Sequence, residues 1–198
     1  MTSHEKNNRR ELVRYARELW KRRAVSGTSG NLSLRLEDGS FLITPTRGSL
    51  RKLLDHEIVR IDGAGVPFDR QAAPSSELTL HLAAYTVRCD ITAVVHTHPT
   101  FCVVWSTLGR IFPRHTVGAR ETLGEVAWTA YAAPGTRELA TLTGAEFARG
   151  VNAVLMENHG LTTVGATLED AFVLTDIAEE SARVAYYSGQ GARIKRRM

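Results

Sequence analysis

Two histidines one residue apart, His96 and His98, close an apolar, β-branched run that begins at Ile91. Side chains two apart on a strand leave from the same face, so both imidazoles can reach one divalent ion at about 2.0–2.1 Å per bond. Pro99 ends that strand and leaves the pair at an edge where a ligand can enter. A third ligand has to come from elsewhere, and His159 is the best candidate. It stands in Glu157-Asn158-His159-Gly160, a short turn between two apolar runs, where the glycine lets the chain turn closely. The competing reading is of unrelated polar residues, because a lone histidine is usually structural. His4, His56 and His81 are read in that way, and His115, in an irregular stretch, could line a cleft.

Three further segments suit an anion. Thr28-Ser29-Gly30-Asn31 offers backbone N–H groups with little steric cover, and Thr44-Pro45-Thr46-Arg47-Gly48 offers hydroxyls and a cation. Ser75-Ser76 stands at a helix start, where free N–H groups and the dipole favour negative charge. Each is equally the composition of an ordinary turn or cap. Glu77 follows the serines directly. It could complement the positive helix end, worth about 0.3–1 kcal/mol, or serve as general base or metal ligand.

The elements that must position these groups follow from periodicity and turn signals. Leu12, Ala16, Leu19 and Trp20 give the buried stripe of a helix over about Asn7–Arg23. Strands are expected over Leu32–Leu36 and Phe41–Thr44, joined at Asp38-Gly39, and over Ile58–Ile61. A helix opens at Pro74-Ser75-Ser76-Glu77 and runs to about Val87, before a strand over Ile91–His98. Val126–Tyr131 reads as a strand, Thr136–Arg149 as a helix, and Val151–Met156 and Leu161–Val164 as two more strands. Thr167 caps a last helix that stops at Gly189. Strands come in pairs as well as alternating with helices. That argues for an α/β fold with a mixed, largely antiparallel sheet rather than a doubly wound parallel one.

The chain has 198 residues, 43% of them hydrophobic and 23% charged, which fits one domain over residues 1–198 with flexible ends at 1–7 and 190–198. The net charge of +4 gathers at the two ends and is read as a helix face and a frayed tail, not as a nucleic-acid arm. Cys89 and Cys102 sit among apolar residues and are expected to be reduced thiols in or near the core. With a polar start and no long apolar run, a cytoplasmic protein is expected, with neither nucleic acid nor membrane as partner.

Taken in order, Gly30-Asn31, Ile43-Thr44-Pro45-Thr46, Pro74-Ser75-Ser76-Glu77, Val95-His96-Thr97-His98, Pro134-Gly135-Thr136-Arg137-Glu138-Leu139 and Asn158-His159-Gly160 resemble the class II aldolase/adducin family over about residues 8–188. The resemblance implies a three-layer α/β/α fold with a central mixed sheet. It also implies a homotetramer with active sites at subunit interfaces. It implies zinc on His96, His98 and His159, with manganese or another divalent ion as the alternative. By position, Gly30, Asn31, Thr46, Ser75 and Ser76 match the family's phosphate binders and Glu77 its acid/base carboxylate. Thr28, Arg47 and His115 are further candidates for contact with substrate. The implied reaction is cleavage of a small ketose phosphate, a ketose 1-phosphate of 5-deoxy or methylthio type among them. The products are dihydroxyacetone phosphate and an aldehyde, reached through a metal-stabilised enediolate.

Three departures bear on the substrate. Thr116 stands where the family's sugar-phosphate aldolases carry a tyrosine, the chain lacks their C-terminal extension, and Arg47 replaces a common glycine. The alternatives on the same scaffold are a decarboxylase of a phosphorylated keto sugar acid, with Arg47 or Arg120 facing the carboxylate, and a dehydratase or 4-epimerase. A non-enzymatic adducin-like domain is the remote alternative, since such domains lose the metal ligands.

Overall fold

In the computed structural model, which describes residues 2–69, 72–108 and 111–195, a seven-stranded sheet carries helices on both faces. Helix α1 spans Ser3–Lys21 and buries Leu12, Ala16 and Leu19. It starts earlier than Asn7 because the Thr2 hydroxyl caps the Glu5 N–H at 3.2 Å. The buried Glu5 carboxylate is held there by Arg9 at 2.8 Å and Arg60 at 3.1 Å.

Strands β1 (Asn31–Arg35), β2 (Phe41–Ile43) and β3 (Val59–Ile61) form an antiparallel meander. The sheet continues through β4 (Ala93–Thr97), β7 (Gly160–Gly165), β6 (Ala153–Met156) and β5 (Val126–Thr129), in the order β3-β2-β1-β4-β7-β6-β5. Only β5 and β6 run parallel, so the mixed, largely antiparallel sheet expected from the sequence is present. On one face, α1 and the last helix α5 (Leu168–Lys195) cover Leu32, Leu34, Ala93 and Val95. On the other, α2 (Leu78–Val87) and α4 (Arg137–Ala148) cover Ile43, Val94, Val154 and Val164. The result is the three-layer α/β/α arrangement.

The structure corrects several sequence expectations. Helix α2 begins at Leu78, after the Pro74–Glu77 segment, because Ser75 turns the chain: its carbonyl accepts from Leu78 N–H and its hydroxyl from Glu77 N–H. Helix α3, Thr100–Leu108, was not expected, because its residues are mostly β-branched or aromatic types that favour strands. Helix α5 continues through Gly189, where a Cβ would meet nothing within 4 Å. A surface glycine lowers helix stability by about 1 kcal/mol but does not end a helix that is held elsewhere. Cys102 is buried in α3, whereas Cys89 is exposed rather than near the core. Met1 and the basic residues Arg196 and Arg197 lie outside the described residues. Among the described residues no helix is long and apolar enough to cross a membrane.

The β4–β7 pairing decides where the histidines fall. His96 pairs with Thr162 and Thr97 with Leu161, so the turn before β7 lies against the end of β4. Gly160 makes this approach possible. A Cβ there would overlap the Thr97 carbonyl and lie 2.7 Å from His98 Cδ2. Gly160→Ala is therefore expected to lower stability by about 1–3 kcal/mol and to weaken metal retention, read by chemical unfolding and elemental analysis. Wild-type values for both would show that the turn can shift freely.

Candidate metal centre

The four groups converge from three elements. His96 comes from the last turn-facing position of β4, His98 from just beyond that strand, and His159 from the turn before β7. Glu77 sits at the N-cap of α2 with φ −98° and ψ 19°, a sparsely populated conformation common at active sites. Its side chain makes no capping bond. The helix-end role open to it from the sequence is therefore not the one it plays, because its carboxylate turns to the histidines.

His96 Nε2 lies 2.9 Å from His98 Nε2 and 3.1 Å from Glu77 Oε2, and His159 Nε2 lies 3.3 Å from Glu77 Oε1. One ligand atom from each of the four residues lies within 4.8 Å of the others. A tetrahedral ion with bonds of about 2.0–2.1 Å needs donors roughly 3.3 Å apart, so this spacing fits one ion. The ring nitrogens are also set for it. His96 Nδ1 lies 3.2 Å from the Leu161 carbonyl and 3.1 Å from Thr162 Oγ1. It must donate to that carbonyl, which leaves Nε2 with a lone pair facing the cluster. Burial, then the charge of His96, pushes His98 down to about 3 and His159 down to about 4, against the opposing pull of Glu77. Both are neutral ligands at ordinary pH. Burial works to raise the Glu77 carboxyl. When His96 is protonated its charge and hydrogen bond, with the Asn31 amide and His159, outweigh that effect and hold Glu77 well below the usual range. Glu77 Oε1 and His159 Nδ1 are buried without a hydrogen-bond partner. An unpartnered carboxylate oxygen among three imidazoles is what a cation would satisfy.

The three anion-suited segments meet beside this cluster. Thr46 N–H donates to the Ala73 carbonyl at 3.0 Å, and Ser75 N–H to the Thr44 carbonyl at 3.1 Å. Thr44 Oγ1 accepts from Leu32 N–H at 3.2 Å, tying both segments to β1 beside Gly30 and Asn31. Gly30 has φ +79° and touches β4, where a Cβ would lie 3.1 Å from the His96 carbonyl. Gly135, at φ +73°, packs on the Ser76 carbonyl and explains why the Pro134–Leu139 motif accompanies the serines. Ser75 is buried and Ser76 exposed. Asn31 is buried, and its amide donates to Glu77 Oε2 at 3.0 Å and accepts from His81 Nε2 at 2.5 Å. Sequence reading missed His81; its four-residue spacing from Glu77, one helical turn, was the available signal.

The remaining candidates lie further out. Thr28 is exposed on the 26–29 loop, and a groove of about 570 Å³ beside it is lined by Trp20, Arg23, Ser26, Gly27, His98 and Thr100. Arg47 is exposed with φ 57°, a left-handed conformation uncommon for a non-glycine residue. His115 is not brought to the cluster within this chain; its backbone N–H donates to Ser181 Oγ on α5 at 3.2 Å. Arg120 is turned to the Arg114 carbonyl at 3.1 Å.

His81 gives the site a pH dependence. Burial, then the charge of His96, pushes it down from 6.5 to about 3, with Glu77 opposing. Between those values the unfolded chain binds the additional proton, so stability falls as pH falls. In the metal-free protein, lowering the pH from 7 to about 5 should destabilise wild type by roughly 2 kcal/mol more than His81→Gln. Equal losses in urea melts at the two pH values would show that His81 does not supply this term.

Residues 10–186 match the family model of the class II aldolase and adducin N-terminal domain. The L-fuculose phosphate aldolase of Methanococcus vannielii is 32% identical over 175 residues, 88% of this chain and 93% of that protein. The enzyme of the same name from Escherichia coli K12 is 36% identical over 176 residues, 88% of this chain and 80% of that protein. YgbL of Klebsiella pneumoniae, described as an aldolase, epimerase or decarboxylase, superposes with a TM-score of 0.88 at 31% identity, covering 96% of this chain and 92% of the other. With the sheet order, the histidine cluster and these likenesses in agreement, the chain belongs to the class II aldolase/adducin family.

Proposed function

We propose that this protein is a divalent-metal lyase, with zinc as its ion, that cleaves a small ketose phosphate to dihydroxyacetone phosphate and an aldehyde. The observation that carries the reading is the approach of Glu77 to His96 and His159, at 3.1 and 3.3 Å, beside three convergent anion-suited segments. His96, His98 and His159 hold the ion. When bound, it supplies Lewis acidity to the substrate carbonyl and its neighbouring hydroxyl, where enediolate charge develops. Gly30, Asn31, Thr46, Ser75 and Ser76 surround the phosphate, Asn31 also linking that pocket to Glu77. Glu77 enters as a carboxylate, takes the proton released by the substrate hydroxyl as the carbon–carbon bond breaks, and returns it to the enediolate carbon through Oε1, the oxygen free of hydrogen bonds. Thr28 and Arg47 reach the outer part of the substrate. In this reading the enzyme is a cytoplasmic homotetramer with sites at subunit interfaces, and a neighbouring subunit brings its own His115 to the substrate.

A decarboxylase of a phosphorylated keto sugar acid is the second reading. Arg47 supports it: an exposed guanidinium on a left-handed residue next to Thr46 suits a substrate carboxylate. Turnover of a panel of ketose 1-phosphates, ketose 5-phosphates and phosphorylated keto acids, with products identified by mass, separates the two. Carbon dioxide release without any dihydroxyacetone phosphate would replace the aldolase reading.

Four substitutions test the roles. His159→Ala should remove most of the bound metal and all turnover, whereas His81→Ala should retain its metal; full metal in His159→Ala would exclude that ligand. Glu77→Gln should keep fold and metal but lose turnover by about two to four orders of magnitude, the usual contribution of a general acid/base. Solvent deuterium exchange into dihydroxyacetone phosphate at the wild-type rate in Glu77→Gln would assign the base elsewhere. Ser76→Ala should weaken phosphorylated substrates by about 1.5–3 kcal/mol with metal content unchanged, and equal affinity for them in titrations would move the pocket.

A further inference from the structure

A chain of buried polar side chains leads to Glu77 from behind. His81 is fully buried in α2, one helical turn after Glu77. Its Nδ1 lies 2.7 Å from Ser33 Oγ and its Nε2 2.5 Å from Asn31 Oδ1. Ser33 Oγ is 2.9 Å from the Tyr85 hydroxyl, whose single hydrogen serves either Ser33 Oγ or the Thr92 carbonyl 3.1 Å away. Asn31 Nδ2 donates to Glu77 Oε2 at 3.0 Å.

The chemistry of each group fixes the direction of these bonds. A carboxylate only accepts, so Asn31 presents its NH₂ to Glu77 and its oxygen to His81. That oxygen also only accepts, so His81 donates from Nε2. A neutral imidazole carries one N–H, so Nδ1 holds a lone pair and accepts from the Ser33 hydroxyl. Full burial keeps the ring neutral. A histidine with only a packing role would need no donor aimed down such a chain, and an apolar residue would fill the space without buried polar atoms to satisfy.

We propose that His81 is a positioning residue: held by Ser33 in its Nε2–H tautomer, it fixes the Asn31 amide, which anchors Glu77 Oε2 and leaves Oε1 turned to the substrate. The inference rests on the acid/base reading of Glu77. With the opposite tautomer, two lone pairs would face each other between His81 and Asn31. The amide would then flip, and its oxygen would repel the carboxylate.

The test uses the metal-loaded protein and dihydroxyacetone phosphate as probe, with solvent deuterium exchange as the activity. His81→Phe, which keeps ring volume without nitrogen, should retain metal and fold. Its exchange kcat should fall about 10- to 100-fold, as for other residues that orient a metal-site group through a hydrogen bond, with KM within about twofold of wild type. His81→Gln, which supplies one donor and one acceptor, should recover most of that loss. Independently of activity, ¹⁵N spectra of histidine-labelled wild type near neutral pH should show one metal-independent Nε2–H imidazole that disappears in His81→Gln. Undiminished kcat in folded His81→Phe, a change confined to KM, or an Nδ1–H or cationic His81 would each overturn the proposal. Should His81→Phe fail to fold, Ser33→Ala decides with the same readouts, loss of kcat supporting and its retention refuting. Absence of exchange in wild type would instead refute the lyase reading, and the positioning role with it.

Discussion

The approach of the Glu77 carboxylate to three imidazoles in a nearly dry site is the interaction on which the rest of the structure depends. A buried carboxylate and unpaired ring nitrogens are costly unless a charge or a set of hydrogen bonds compensates them. Here the compensation comes from both directions. Asn31 donates a hydrogen bond to the charged carboxylate, and burial keeps His98 and His159 neutral with their lone pairs available. The site is therefore poised for a cation before one arrives.

The fold reads as a device for maintaining that arrangement. Strand β4 is central, fully buried along its length, and paired on both sides. It delivers His96 against β1, which carries Asn31, and against β7, whose entry turn carries His159. Two glycines allow the neighbouring backbones to come close enough: Gly30 beside the His96 carbonyl and Gly160 beside Thr97. Helix α2 then supplies both the carboxylate and, one turn on, the imidazole that holds it through Asn31. Glu77 and His81 thus share the start of one helix, and His96 lies within a central strand, which suits a site that depends on sub-ångström placement.

The anion-suited segments are built differently. They are short loops zipped to one another by main-chain bonds, Thr46 to Ala73 and Ser75 to Thr44, with the Pro134–Gly135 turn packed on Ser76. That bonding leaves Ser76 and Arg47 exposed. Arg47, with its left-handed backbone, stands exposed beside Thr46.

The sequence by itself determined which residue types are candidates to bind a metal. His96 and His98 share a face because strand geometry requires it, and Pro99 and Gly160 mark where chain direction changes. It also determined most strands, because alternating and β-branched runs between turn residues have few other solutions. It did not disclose α3, whose β-branched and aromatic residues favour a strand, or the continuation of α5 through Gly189, where contacts made elsewhere along the helix override a local preference. Nor could it rank the roles of Glu77, since a carboxylate at a helix start looks the same whether it caps or faces a metal. Only the tertiary structure turned that side chain inward. It also joined Asn31, Ser33 and His81, which lie up to 50 positions apart, into one chain of hydrogen bonds. Local spacing fixes which side chains share a face, but the partners of a buried polar group are set by the packing of distant elements that must satisfy it.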